Sequence, residues 1–258
     1  MQTAKDILVK PITPQSANAI IKKFHYSGKV VHNSQLHLGV FINDKCEGAM
    51  QFGPCMAKKN MLKLVTGTKW NGFIELNRMA FGPKLPKNSE SRAIAVALRM
   101  IKKNYPHIEW VISFADGTQC GDGTIYRASG FSLIGIKKNT ELKRLVDGSV
   151  VCAMTYGKGK HILETGRSTV LKGAVSLPGY QLKYIYFLSN TARERLAVPV
   201  IPFSQIKELG AGMYLGKQRA HEAKVPRRPS TTRKKGGASP THALHKPARQ
   251  VKSRSKYA

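Results

Sequence analysis

The sequence predicts an α/β protein, a mixed β-sheet flanked by helices, with a basic C-terminal tail that has no core of its own. Short β-prone runs alternate with helical segments over residues 1–216. The run WVISFA at 110–115 is nearly continuous and apolar, as a central strand covered by helices on both faces requires. From Lys217 the composition changes: 217–258 carries thirteen Lys and Arg, one acid, four prolines and almost no large apolar residue. A segment so composed cannot bury enough apolar surface to fold. The domain boundary therefore falls between 1–216 and 217–258, and 41% hydrophobic residues over 258 suffice for one filled core in the first part.

Residues 6–12 read as the first strand. Thr13-Pro14 then offers an N-cap followed by proline at the first helical position, which opens a helix to about Phe24. Residues 36–42 and 48–52 are β-prone runs joined by Asn43-Asp44-Lys45, a hairpin-turn composition, and should pair antiparallel. Residues 73–81 form a further strand candidate that ends at Pro83 and Pro86. Ser89 can cap a largely buried helix reaching Asn104. After the strand at 110–115, Thr124 caps a short helix ending at Gly130. Residues 151–156 and 182–188 are the last strand candidates, and 157–180 reads as loop.

Charge narrows the function. Forty-three Lys and Arg against fourteen Asp and Glu give +29, which directs the surface to polyanions. A membrane is the poorer partner, because no apolar run reaches the ~18 residues of a spanning helix and the N-terminus lacks the apolar stretch of a signal peptide. Nucleic acid is favoured, with Arg227, Arg228, Arg233, Lys234 and Lys235 of the tail as candidate phosphate contacts; the alternative is a merely solvated arm. Such contacts add affinity without choosing a site, so specificity must lie in 1–216. Cys46, Cys55, Cys120 and Cys152 form no CxxC pair, which speaks against a zinc ribbon or a disulfide framework and for a reducing, cytoplasmic setting.

Three segments concentrate polar residues where a fold gains little from them: His25-Tyr26-Ser27, the run ELNR at 75–78, and 113–116 continuing to 123–126. Strand alternation would put Glu75 and Asn77 on one face and Arg78 on the other; Glu75 and Arg78 are either a structural ion pair or part of a site. Asp116 ends the apolar strand, where open α/β sheets place ligand crevices, and glycines 117, 121 and 123 permit close backbone approach; a turn role is the competing reading.

Together, NSESR (88–92), FAD (114–116), GDGTIY (121–126) and ASGF (128–131) resemble the Mom proteins of Mu-like phages over roughly residues 20–140. The resemblance implies a GNAT acetyltransferase-like fold, binding of acetyl-CoA, and conversion of adenine in double-stranded DNA to a methylcarbamoyl form that blocks restriction enzymes in the host cytoplasm. It assigns the active site to His25, Tyr26, Arg78, Asp116 and Tyr126, with Ser91 as an addition. It also raises iron, for which His25 and Tyr26 are the candidate ligands.

In that frame Tyr126 protonates the departing thiolate or is a core aromatic. Asp116 accepts a proton from the adenine amine or orients it, and Arg78 holds a phosphate or steadies a developing oxyanion. His25 and Tyr26 bind an extruded base or the metal, although a histidine at a helix C-terminus is commonly a capping residue. The superfamily's glycine-rich pyrophosphate loop is replaced by PKLPKNSESR (83–92), where Lys84, Lys87, Asn88, Ser89 and Arg92 form the candidate cofactor site at a helix N-terminus. An adenine amine inside a duplex is out of reach, so the enzyme should flip the base or act on opened DNA, with Tyr26 or Trp70 as candidate stacking partner. Acetyl transfer alone would give an acetyl product, so a further activation step is implied. The other readings are a noncatalytic DNA-binding protein on the same fold and an acetyltransferase for a protein or small amine.

Overall fold

A computed structural model describes residues 2–156, 169–214 and 217–218. A 3-10 turn at Ala4–Asp6, closed by a capping box between Thr3 and Asp6, takes the start of the first expected strand, which is confined to β1, Leu8–Pro11. Helix α1, Pro14–Phe24, begins as its sequence requires: the Thr13 side chain accepts from Ser16 N and Pro14 occupies the first turn. The hairpin of β2, Leu36–Ile42, and β3, Lys45–Gly53, turns on Asn43 and Asp44 at φ 47° and 59°. Asn and Asp are the non-glycine residues that tolerate that conformation best.

After α2, Lys58–Leu62, come β4, Phe73–Phe81, and α3, Ser89–Asn104. Ser89 is not the cap of α3: Asn88 occupies that position at φ 68°, and the buried Ser89 hydroxyl donates to Pro86 O at 2.6 Å. Strand β5 runs Trp110–Asp116. It leads to α4, Thr124–Ala128, whose left-handed N-cap is Gly123, with the Thr124 hydroxyl donating to Asp122 Oδ1 at 2.7 Å. Strand β6, Ser132–Lys138, was not singled out in the sequence. The expected strand at 151–156 divides: β8, Val150–Cys152, pairs with β7, Leu142–Arg144, and Ala153–Tyr156 is helical as α5. Strand β9, Val175–Ser176, completes a small sheet on β7, and β10, Tyr180–Phe187, returns to the main sheet. Short helices α6, Asn190–Glu194, and α7, Ser204–Glu208, follow. A two-residue pairing of β11, Met213–Tyr214, with β12, Lys217–Gln218, ends the described part, so 217 and 218 still belong to an ordered ladder.

The main sheet has seven strands in the order β1-β2-β3-β4-β5-β10-β6. Every step is antiparallel except β4–β5, which is parallel. Helix α3 buries Ala93, Ile94, Ala97, Leu98 and Ile101, an i, i+1, i+4, i+5, i+8 stripe, against Leu38, Val40, Met50 and Leu76. Truncating Ile94 or Leu98 to alanine should cost about 2–5 kcal/mol. Ala49, next to Met50 in β3 and therefore on the opposite face, packs on Ala17 and Ile21 of α1. Helices thus cover both faces, and the expected mixed sheet flanked by helices is the architecture observed. Among the described residues no helix is long and apolar enough to cross a membrane.

Candidate active site

The parallel step creates the site. β4 and β5 pair only over Phe73–Glu75 and Trp110–Ile112, although β4 continues to Phe81 and β5 to Asp116. Beyond that point the two strands separate. The Ser113 hydroxyl, fully buried, donates to Leu76 O at 3.2 Å and closes the crotch of the fork. A strand edge left unpaired inside a protein offers backbone donors and acceptors to whatever enters.

Two cavities meet in the fork. The narrower, about 360 Å³, is lined by Phe24, Met79, Phe81, Phe114, Ile125 and Tyr126 among others, and is mostly apolar in its side chains. The wider, about 760 Å³, is lined by Lys29, Glu75, Gln119, Lys137, Lys138 and Asn139 among others, with one wall supplied by the segment that follows β6. Tyr26, Leu76, Asn77, Arg78, Phe114 and Asp116 line both. The sequence-derived set of His25, Tyr26, Arg78, Asp116 and Tyr126 is therefore brought together on the narrower cavity, three of the five at the junction.

The expected alternation along 75–78 is broken. Gln51 pairs with Arg78 and Phe52 with Leu76, which leaves Asn77 as the extra residue of a β-bulge. Such a bulge re-aims side chains, and Glu75, Leu76, Asn77 and Arg78 all line the wider cavity. Gly53 makes room for the bulge, since a Cβ there would meet Asn77 Oδ1 at 2.6 Å. Glu75 and Arg78 form no ion pair. Arg78 donates through Nη1 to Asn77 O at 2.8 Å and through Nε to Lys29 O at 3.3 Å. Glu75 is hydrogen-bonded by the side chains of Cys55 and Asn77, and burial nevertheless pushes its carboxyl above the ordinary range. The same burial, with Glu75 beside it, drives the Cys55 thiol up to about 12.

Asp116 has the turn role as well as the crevice position. Its Oδ1 accepts from Thr118 N at 3.0 Å and its Oδ2 from Gln119 Nε2 at 3.0 Å, with the Tyr26 hydroxyl 3.5 Å from Oδ2. Tyr126 packs on Tyr184 and Phe131 with ring centroids at 5.3 and 5.4 Å, and its hydroxyl is hydrogen-bonded to Ser113. Burial raises it to about 12, so the phenol keeps its proton at neutral pH.

His25 sits at the C-cap of α1, and burial, with the Arg78 guanidinium beside it, lowers it to about 4. The imidazole is neutral at pH 7. Its Nδ1 accepts from Ser27 N at 3.1 Å and pairs with Ser27 Oγ at 2.8 Å, which leaves the ring proton on Nε2. That tautomer has no free lone pair for a metal, and the described residues hold no group of three or more His, Cys, Asp or Glu able to bind one. The iron expected at His25 and Tyr26 does not fit this arrangement.

The residues expected to hold the cofactor stay outside both cavities. Lys84 lies 3.4 Å from Glu47, Lys87, Asn88 and Arg92 are exposed, and the Ser89 hydroxyl donates to Pro86 O. Ser91, expected as an addition to the active site, lines neither cavity, and its hydroxyl donates to Asn88 O. Only Glu90 of that segment lines the narrower cavity. Trp70 lines neither cavity, whereas Tyr26 lines both. Arg227, Arg228, Arg233, Lys234 and Lys235 lie outside the described residues.

Comparison with known proteins follows this geometry. Residues 6–205 match the model of the Mom protein family. The methylcarbamoylase Mom of Escherichia phage Mu is 38% identical over 196 residues, which cover 75% of this chain and 80% of that protein. Among solved structures, an N-acetyltransferase from Staphylococcus aureus aligns with 71% of this chain and 99% of its own at 10% identity and a TM-score of 0.43. A Bacillus subtilis acetyltransferase in complex with CoA aligns with 71% and 98% at 11% identity and a TM-score of 0.41. The match over residues 6–205 and the identity to the phage Mu protein establish that this chain belongs to the Mom protein family.

Proposed function

We propose that this protein converts adenine in double-stranded DNA to its methylcarbamoyl form with an acyl-CoA as donor, acting inside the host cell to shield phage DNA from restriction. The observation that carries the reading is the fork between β4 and β5, with two cavities that share six residues. Family membership, and the name methylcarbamoylase borne by the phage Mu relative, are the second support. A transferase needs two substrates to meet at one point from separate entrances, and a forked strand pair with one cavity at either side provides that.

The narrower, apolar cavity suits the thin arm of an acyl-CoA, with the unpaired edges of β4 and β5 available to its amides. Lys84, Lys87, Asn88 and Arg92, at the start of α3, are assigned its phosphates; Ser89, whose hydroxyl and N–H both donate to Pro86 O, is not among them. The wider, polar cavity suits a nucleobase and its backbone phosphates. The thioester supplies an acyl group activated for attack by a nitrogen.

At the junction Asp116, held by Thr118 and Gln119, accepts a hydrogen bond from the adenine amine and orients it. Arg78, which lines both cavities, is assigned the charge that develops on the carbonyl oxygen or a phosphate of the DNA. Tyr126 retains its proton until a thiolate departs and then donates it. Tyr26, on the wall of both cavities, is the stacking partner of the extruded base. Attack of the amine on the thioester carbonyl expels the CoA thiolate and gives an acetyl product. The methylcarbamoyl group carries one nitrogen more, so a further activation step, with its own nitrogen donor and two-electron oxidant, is implied outside this transfer. The basic stretch 217–258, with Arg227, Arg228, Arg233, Lys234 and Lys235, serves as a tether to phosphates.

The test is expression in bacteria followed by digestion of plasmid DNA to nucleosides and mass spectrometry. A new modified deoxyadenosine, absent with Tyr126→Phe and with Asp116→Ala, is the expected result. Unmodified DNA from abundant folded protein overturns the reading and leaves a DNA-binding protein on the same fold.

A further inference from the structure

Met56 is the most exposed large apolar side chain among the described residues, at 91%. Single apolar residues on a surface are ordinary, but the position of this one is not. It belongs to the lining of the wider cavity, together with Lys29, Glu75, Asn77 and Lys137, and so stands at that cavity's rim. Its immediate neighbours are fixed. Cys55 is buried against Glu75, Pro54 O accepts from Asn33 Nδ2 at 3.1 Å, and Ala57 O accepts from the N–H groups of Asn60 and Met61 at 2.9 and 3.1 Å. A rigid stem therefore holds an unpacked methionine in solvent beside the entrance.

The rim around it is basic. Lys29, Lys137 and Lys138, which line this cavity with Met56, are exposed. The acids lining this cavity are Glu75 and Asp116 inside it and Glu141 on its wall. A surface of this charge fits a duplex backbone.

We propose that Met56 is a wedge that enters the duplex beside the target and holds open the place an extruded adenine leaves. This rests on the reading above, in which adenine is modified in double-stranded DNA. Removing a base from the stack leaves an apolar gap, and a flipped state persists when something apolar fills it. Methionine suits the task, since three rotatable bonds and an unbranched thioether let it conform to a gap of irregular shape. The lysines then grip phosphates on either side while the base enters the cavity and reaches Asp116 and Arg78.

The full-length protein tests this with a duplex that carries 2-aminopurine at an adenine position the wild type modifies in plasmid DNA. Wild type should raise the fluorescence several-fold as the base leaves the stack. Met56→Ala should lower that rise at least ~10-fold, while affinity read by anisotropy changes less than ~3-fold because the phosphate contacts remain. Placing an abasic site opposite the 2-aminopurine should restore the signal to Met56→Ala, and Met56→Leu should restore it on the ordinary duplex. Because the side chain packs on nothing, the melting temperature should not move, and Val200→Ala, an exposed residue away from the cavity, should behave as wild type. A Met56→Ala protein that unstacks the base as well as wild type overturns the wedge while leaving the modification reading intact. A wild type that modifies no plasmid adenine removes both.

Discussion

The two sides of the β4–β5 fork are built from the same strands yet differ in almost everything else. On one side, Met79, Phe81, Phe114, Ile125 and Tyr126 enclose about 360 Å³ of largely apolar space, next to the packed aromatic group of Tyr126, Phe131 and Tyr184. On the other, lysines, amides and Glu75 surround about 760 Å³ with a wall made by residues 139–142, 150 and 152. The contrast teaches where the division of labour arises. A small apolar cleft excludes water and positions a thin chain, whereas a large charged one accommodates a polyanion and tolerates solvent.

The sharpest way to break the comparison is at the junction. Tyr126→Phe keeps the ring packing on Tyr184 and removes only the hydroxyl, so DNA modification should fall by ~100-fold or more with folding unchanged. Activity within a few-fold of wild type, measured as modified deoxyadenosine per cell, would return Tyr126 to the role of a core aromatic.

The next effect is confined to the narrower side. Ile125→Trp fills that cavity and should weaken CoA binding by ~10-fold or more, the usual consequence of overpacking, while DNA affinity stays the same. Calorimetric titration with CoA and anisotropy with DNA read the two separately. Equal losses in both would mean that the cavities are not independent.

On the wider side the expected change is smaller. If the proposed phosphate contacts of Lys137 and Lys138 exist, Lys137→Ala combined with Lys138→Ala should make the slope of log affinity for DNA against log salt shallower by ~2. CoA binding should not respond. An unchanged slope would take these lysines out of the DNA path.

The smallest effects are in stability against pH. His25 lies near 4 in the fold and about 6.5 when unfolded, so the folded state binds fewer protons between those values. Stability is then lost as pH falls from about 6.5 to 4, and His25→Gln should flatten that fall. Glu75 shifts the other way: burial makes the fold hold its proton to higher pH than the unfolded chain does, so stability declines as pH rises above about 4.3, and Glu75→Gln should remove the decline. Urea melts across pH test both signs.

Much of the fold was legible because periodicity and punctuation agree. The segments Leu36–Ile42, Phe73–Phe81 and Ser89–Asn104 have the ends that their apolar spacing and flanking prolines and turn residues indicate. Asp116 stands where the end of an apolar strand should place it. Less visible was anything that depends on which strands become neighbours. The fork arises where β4 and β5 stop pairing, and the Asn77 bulge arises from a register shift against β3, neither of which leaves a mark in 75–78 itself. The partners of Glu75, Cys55 and Asn77, are equally invisible in the sequence, which leaves open whether Glu75 and Arg78 pair or belong to a site. In 83–92 the charge near a helix start is visible in the sequence, but the engagement of the Ser89 and Ser91 hydroxyls by nearby carbonyls is not. Glu90 of the same segment lines the narrower cavity.

The most direct test of the two-sided site is a crystal structure of the protein with CoA. The pantetheine arm should lie in the fork between Met79, Ala80 and Phe81 of β4 and Phe114, Ala115 and Asp116 of β5, with its sulfur within hydrogen-bond reach of the Tyr126 hydroxyl and the wider cavity left free. CoA seated in the wider cavity beside Lys137 and Glu141, or bound outside the fork, would contradict the assignment of the two sides.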